Sequence, residues 1–184
     1  RNRDIEGDEA IEKYLHGTIR DLYDPALLKG SREAVLLLKD KIKGQMPIRV
    51  IGDYDADGIC SSYILKRGLE ACGAVVDTMI PHRMKDGYGL NEHLVDEAYA
   101  DGIDTILTCD NGIAAYAQIE QAKKYGMTVI ITDHHEIPYE EEPLAEPDPE
   151  TGKCAEGVWL MGSLGSCFGI MIFEGSAQGE LFIF

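Results

Sequence analysis

With 184 residues, 45% of them hydrophobic, the chain can build one domain with a proper core, and its composition excludes general disorder. Its 17 basic and 33 acidic residues leave a formal charge of −16, which argues against holding nucleic acid through a broad basic surface. Clustered acids are instead what hard cations need.

The five cysteines (Cys60, Cys72, Cys109, Cys154, Cys167) form no CxxC pair and no Cys/His zinc spacing. Scattered thiols suit a reducing compartment, so the cytoplasm is the expected location. The opening RNRDIEGDEA carries no apolar signal segment, and the apolar-leaning C-terminal run is too broken to be a membrane span. Lacking a starting Met, the chain is expected to begin inside a longer protein.

In chain order, residues 1–45 read as a helical extension. In SREAVLLLKDKIKG, Ser31 is placed to cap, Ala34, Val35, Leu38 and Ile42 recur at helical spacing, and Gly44 ends the helix. IRVIG (48–52) is a short β-branched run, followed by an acidic turn and the helical GICSSYILKRGLEACG. AVVDTMI (74–80) reads as a second strand, NEHLVDEAYADG as a helix, and DTILTCD (104–110) as a third strand. IAAYAQIEQAKKYG reads as a helix and MTVIITD (127–133) as a fourth strand, with a Pro- and Glu-rich connector over 138–150. Strands alternating with helices predict an α/β fold, a parallel Rossmann-like sheet flanked by helices. The expected domain spans 46–150, with 151–184 as an atypical tail.

Three of the strands end on an aspartate: Asp53, Asp110 and Asp133. Parallel sheets bind ligands beyond the carboxyl ends of their strands. In GDYDADG, Asp53, Asp55 and Asp57 stand two apart, so extended backbone would put them on one side, and Gly58 lets the chain turn into a helix. Such carboxylates repel unless neutralised, and a divalent cation does this; the bland reading is an acidic turn with Asp57 as helix cap. Asp110-Asn111-Gly112 is by itself only a common turn sequence. His134 and His135 are expected to point in different directions, one to metal and one to substrate. Oxygen and imidazole donors without thiolates favour Mn²⁺ or Mg²⁺, and two such ions about 4 Å apart suit phosphoryl hydrolysis.

GDYDADG, TCDNG and TDHH, in this order at these strand ends, resemble the DHH phosphoesterase superfamily, and within it the RecJ-type single-strand-specific exonucleases. DLYDPALLK and IPHRMKDGYGLNE resemble the same group, and the likeness runs from about Tyr14 to Cys154. It implies a two-domain enzyme removing nucleotides from the 5′ end of single-stranded DNA in repair and recombination, with Mn²⁺ or Mg²⁺. Single-strand-binding protein and a helicase are the partners it suggests, and no membrane is involved. On matching positions it implies Asp53, Asp55 and Asp57 for the first metal motif, Asp110 for the second, and Asp133, His134 and His135 for the third. Asp55, Asp57, Asp110, His134 and His135 would carry catalysis, His135 also facing substrate. Arg83 is either a phosphate contact or a solvated surface residue, and Tyr88 shapes a nearby loop.

The chain departs from the family in two ways. A further metal-ligating aspartate downstream has no match, since the run after residue 156 holds only the acids Glu174 and Glu180. The second, substrate-closing domain that the resemblance implies is not expected within this stretch. Two other readings stay open: a DHH phosphodiesterase for short oligonucleotides or cyclic dinucleotides, and a non-catalytic DHH scaffold.

Overall fold

The computed structural model describes residues 5–28 and 30–135 and the backbone of 169–173. Expectations for the connector 138–150, Glu174, Glu180, Cys154 and Cys167 lie outside the described residues.

Helix α1 (Asp8–His16) and α2 (Ser31–Lys43) frame two 3-10 turns, Ile19–Asp21 and Pro25–Leu27. Ser31 is not the cap: Gly30, left-handed at φ 78°, holds that position, and Ser31 is already the first helical residue. Strand β1 (Ile48–Ile51) leads into α3 (Ala56–Ala71), and β2 (Val76–Met79) into α4 (Glu92–Ala100). Strand β3 (Thr105–Cys109) is followed by α5 (Tyr116–Lys124) and β4 (Thr128–Asp133).

The sheet order is β2-β1-β3-β4-β5, with the first four strands parallel. Strands β1 and β3 are buried at every position and consist mostly of β-branched and aliphatic residues, as parallel strands covered on both faces should. Strand β2 differs. It lies at the sheet edge, with Asp77 and Thr78 exposed, and Asp77 pairs with the buried Arg49 across the ladder at 2.6 Å. Strand β5 (Gly169–Phe173) runs antiparallel to β4. No strand was expected there, because the repeating βαβ rhythm ends at β4 and nothing in it calls for an antiparallel partner.

Side chains alternate across the sheet, so each strand feeds two cores. Ile51, Ile106, Val129 and Ile131 pack under α4 and α5, while Ile48, Val50, Leu107 and Ile130 face α2 and α3. Chain order reverses between β1 and β3: β2 lies on one side of β1, and β3 and β4 on the other. The crevice beyond their carboxyl ends is the switch point where ligands of open α/β sheets bind.

Helix α3 must start very close to that crevice. A Cβ on Gly58 would lie 2.5 Å from the backbone of Asp53, and one on Gly52 would lie 2.8 Å from the carbonyl of Gly58. Gly58 therefore permits helix and strand end to touch; the turn into the helix is made earlier, at Asp55, whose extended backbone caps α3. Two identical substitutions in α3 should have opposite effects. Gly58→Ala is expected to destabilise by about 1–3 kcal/mol through overpacking. Gly68→Ala, with nothing within 4 Å of the new methyl, should stabilise by about 0.5–1 kcal/mol. Urea unfolding of both variants checks this, and a loss at Gly68 as large as at Gly58 would contradict it.

Candidate metal centre

The acids at the strand ends converge. Asp53 follows β1, is 2% exposed, and its Oδ1 is buried without a hydrogen-bond partner among the described residues. A buried, unpaired carboxylate oxygen is costly and calls for a neutralising ligand. Asp55 spends its Oδ1 on the amides of Asp57 and Gly58, both at 3.0 Å, as the cap of α3. Its remaining charge still reaches Asp110, Tyr88 and their surroundings.

Asp110 follows β3 with a left-handed φ of 62°, a conformation unfavourable for a residue with a side chain. Strain of this kind persists where the surrounding fold over-determines it, and it gathers at functional sites. The carboxylate so placed lies 2.8 Å from Nε2 of His134. Ligand atoms of Asp110, His134 and His135 lie within 4.8 Å of one another. His134 meets Asp110 while His135 meets Asp133 and Tyr88, yet the two ring centroids are only 4.7 Å apart. The reason is Asp133. Its Oδ1 accepts the amides of His134 (2.7 Å) and His135 (3.1 Å) and also meets His135 Nδ1 at 2.7 Å. Its Oδ2 accepts the Ile113 amide at 2.9 Å, fastening β4 to the loop after β3.

Electrostatics follow from this crowding. Burial raises the Asp110 carboxyl above the usual range and the charge of Asp55 adds to it, against the lowering bond from His134. Hydrogen bonding and charge from Asp133 raise His135. Tyr88, whose hydroxyl lies 3.0 Å from His135 Nε2, is pushed up to about 12, first by burial and then by Asp133, Asp53, Asp110 and Asp55.

A model of the DHH family, N-terminal domain, matches residues 47–172. The chain belongs to the DHH family. It is 42% identical over 134 residues to the single-stranded-DNA-specific exonuclease RecJ of Bacillus subtilis (strain 168), covering 73% of this chain and 17% of that protein. It is 45% identical over 136 residues to RecJ of Thermus thermophilus, covering 70% and 20%. A crystal structure of exonuclease RecJ bound to manganese superposes with a TM-score of 0.58 at 44% identity, over 63% of this chain and 30% of that one. The crystal structure of Thermus thermophilus RecJ in complex with Mn²⁺ gives 0.53 at 36% identity, over 73% and 19%. The chain thus spans less than a third of the length of these relatives.

Within the DHH domain, the structure gathers Asp53, Asp55, Asp110, Asp133, His134 and His135 at one rim. Asp57, the second residue of α3, is exposed, as Asp55 is. The extended backbone that would align the three acids of GDYDADG ends at Asp55, because the cap starts the helix there. Arg83 lies at the same edge, on the loop after β2, with its guanidinium carbon 5.1 Å from the centre of the Tyr54 ring. Tyr54 meets Tyr88 edge-on at 6.4 Å, and Tyr88 meets His135 at 5.7 Å. Sequence pattern gives Tyr88 only a loop-shaping place and makes Asn111 a turn residue. In the fold, Tyr88 donates to the carbonyl of Asp110 at 3.3 Å, and Asn111 is wholly buried.

Folding raises the proton affinity of both Asp110 and His135, so the folded chain binds more protons than the unfolded one wherever these groups titrate. The His135 contribution is whole below its unfolded pKa, near 6.5, and fades as pH rises through the folded value. The Asp110 penalty is present above its unfolded pKa and is relieved as pH falls. Without divalent ions, Tm should therefore rise from pH 8 to pH 5.5, and Asp133→Asn should flatten the dependence. A chelator-treated thermal series is the check; a Tm that falls over that range would refute the assignment.

Proposed function

We propose that this chain is the metal-holding domain of a phosphodiester-cleaving exonuclease acting on single-stranded DNA with two divalent cations, Mn²⁺ or Mg²⁺. The observation that carries the reading is the buried oxygen of Asp53, unpartnered among the described residues, at the switch point where its charge reaches His135, together with the close set of the strained Asp110 and two imidazoles. Carboxylate and imidazole donors without thiolate fit these ions. The manganese-bound RecJ structures, at 44% and 36% identity, support the choice of ion.

In this reading Asp53, Asp55, Asp110 and His134 hold the cations. Asp133 and Asp57 complete the acidic set. Asp133 accepts three backbone amides and holds the histidine loop more than a cation, while Asp57 adds charge at the rim. Bound there, the ions supply Lewis acidity toward phosphoryl oxygens and a nucleophile at neutral pH. His135, held between Asp133 and Tyr88, faces the substrate and is the group placed to move a proton. Arg83, at the outer end of the aromatic contacts, is placed to meet a phosphate.

Single-stranded DNA as substrate rests on the names of the relatives; a role in repair and recombination goes with that substrate, and the scattered thiols suit the cytoplasm. An enzyme confined to single strands depends on others to expose and order them, which makes a helicase and a single-strand-binding protein its fitting partners. No helix among the described residues is long and apolar enough to cross a membrane.

Metal binding is tested by thermal unfolding. Mn²⁺ at a hundredfold excess over Kd should stabilise the chain by about 2.7 kcal/mol. Asp110→Ala should abolish the gain. Asp53→Asn should do so too while raising the metal-free Tm, because it removes a buried unpaired charge. Equal responses to Mn²⁺ in wild type and both variants would remove the metal site. Substrate class is tested on the full-length protein by comparing Mn²⁺-dependent release of nucleotides from long single strands and from dinucleotides. Consumption of the dinucleotide alone would replace the exonuclease reading with a small-substrate phosphodiesterase, and metal binding without hydrolysis of either would leave a scaffold.

A further inference from the structure

A single buried amide bridges the two strand ends that precede Asp53 and Asp110. Asn111 has no solvent exposure. Its Nδ2 donates to the carbonyl of Ile51, the last residue of β1, at 3.0 Å, and to the carbonyl of Cys109, the last residue of β3, at 2.9 Å. The β1–β3 ladder ends at the pair Ile51 and Thr108, so this side chain ties the last paired residue of β1 to the residue one step past the last paired residue of β3. Immediately past the two accepting carbonyls come Gly52-Asp53 on one side and Asp110 on the other.

The chemistry demands this residue type. One nitrogen must offer two N–H donors to two carbonyls in a water-free space without bringing charge, which a primary amide does. Aspartate would face the same carbonyls with acceptors alone, and serine offers one donor. The reach back from residue 111 to the carbonyl of 109 also accompanies the left-handed φ of 62° at Asp110, the residue between them. The opposite side of Asn111 is closed by the loop carrying Tyr88. At Gly89, with φ +67°, an added Cβ would lie 3.3 Å from the Cβ of Asn111. Strand ends, the strained aspartate and the tyrosine loop therefore all bear on one side chain.

We propose that Asn111 is a positioning residue for the metal centre: by bridging the ends of β1 and β3 it fixes the gap between Asp53 and Asp110, and with it the affinity for divalent cations. This rests on the metal reading above. Groups that hold ligands in place from outside the ligand set typically change metal affinity by about 10–100-fold when altered.

The test is calorimetric Mn²⁺ binding by the full chain, at a temperature where each variant is folded by circular dichroism. Asn111→Ser, keeping one donor, should weaken Mn²⁺ binding by about tenfold, and Asn111→Asp by more. Ile119→Val, a core change in α5 far from the strand ends in sequence, should lower Tm while binding Mn²⁺ as the wild type does; this separates positioning from plain stability. Should Asn111→Asp fail to fold, Asn111→Ser decides alone. Mn²⁺ affinity within twofold of wild type in folded Asn111→Ser overturns the proposal, whatever its Tm. Asp110→Asn tells the two failures apart: if it too binds Mn²⁺ normally, the metal reading has fallen, and if it loses Mn²⁺ while Asn111→Ser does not, only the positioning role has.

Discussion

Negative charge brought together by the backbone is the constraint on which this domain turns. Asp53 and Asp110 sit at the ends of adjacent buried strands, 2% and 9% exposed, with Asp55 and Asp133 close enough to shift their neighbours. Nothing about carboxylates favours this arrangement, since they repel and lose hydration together. The fold imposes it through strands of isoleucine, valine and leucine that leave no room to slide. Two helix pairs clamp that sheet from both sides, so the unfavourable φ of Asp110 persists because the rest of the domain outweighs it.

How much of this was legible in the sequence depended on whether a signal was periodic or local. Strands β1, β3 and β4 announced themselves as nearly unbroken apolar runs, and an aspartate at the end of each marked the ligand edge. Backbone direction inside GDYDADG was not legible from spacing. Alternation suits an extended chain, but the carboxylate of Asp55 can accept two amides and start a helix, and that local competition won. Asp57 was thereby carried onto α3. In the histidine pair, His134 meets Asp110 while His135 meets Asp133 and Tyr88, and that the turn held by Asp133 keeps the two rings only 4.7 Å apart is not encoded in spacing.

Asn111 and Tyr88 were hidden by a different limit. Asn-Gly after an aspartate reads as a turn, and an exposed aromatic in a Gly-rich loop reads as a spacer. Their partners are main-chain carbonyls and a ring 47 residues away, contacts that no local pattern encodes. A usable clue existed: an amide directly after a fully buried parallel strand has few polar partners except the ends of neighbouring strands.

The loops at this rim are held largely by polar side chains that bond to backbone. Asp133 accepts amides from the loops after β3 and β4, Asn111 donates to carbonyls of β1 and β3, and Asp55 caps α3. Such anchoring fixes geometry without using up the groups that face the cleft, leaving one oxygen of Asp53 unpaired among the described residues and the two imidazoles close together. The contact between His134 and Asp110 is different in kind, because it joins two inward-facing groups directly. It balances part of the charge that a cation would otherwise balance, so cation and His134–Asp110 bond compete for the same carboxylate oxygen. If a cation binds as proposed, it would replace the His134–Asp110 hydrogen bond while the loops anchored to backbone keep their places.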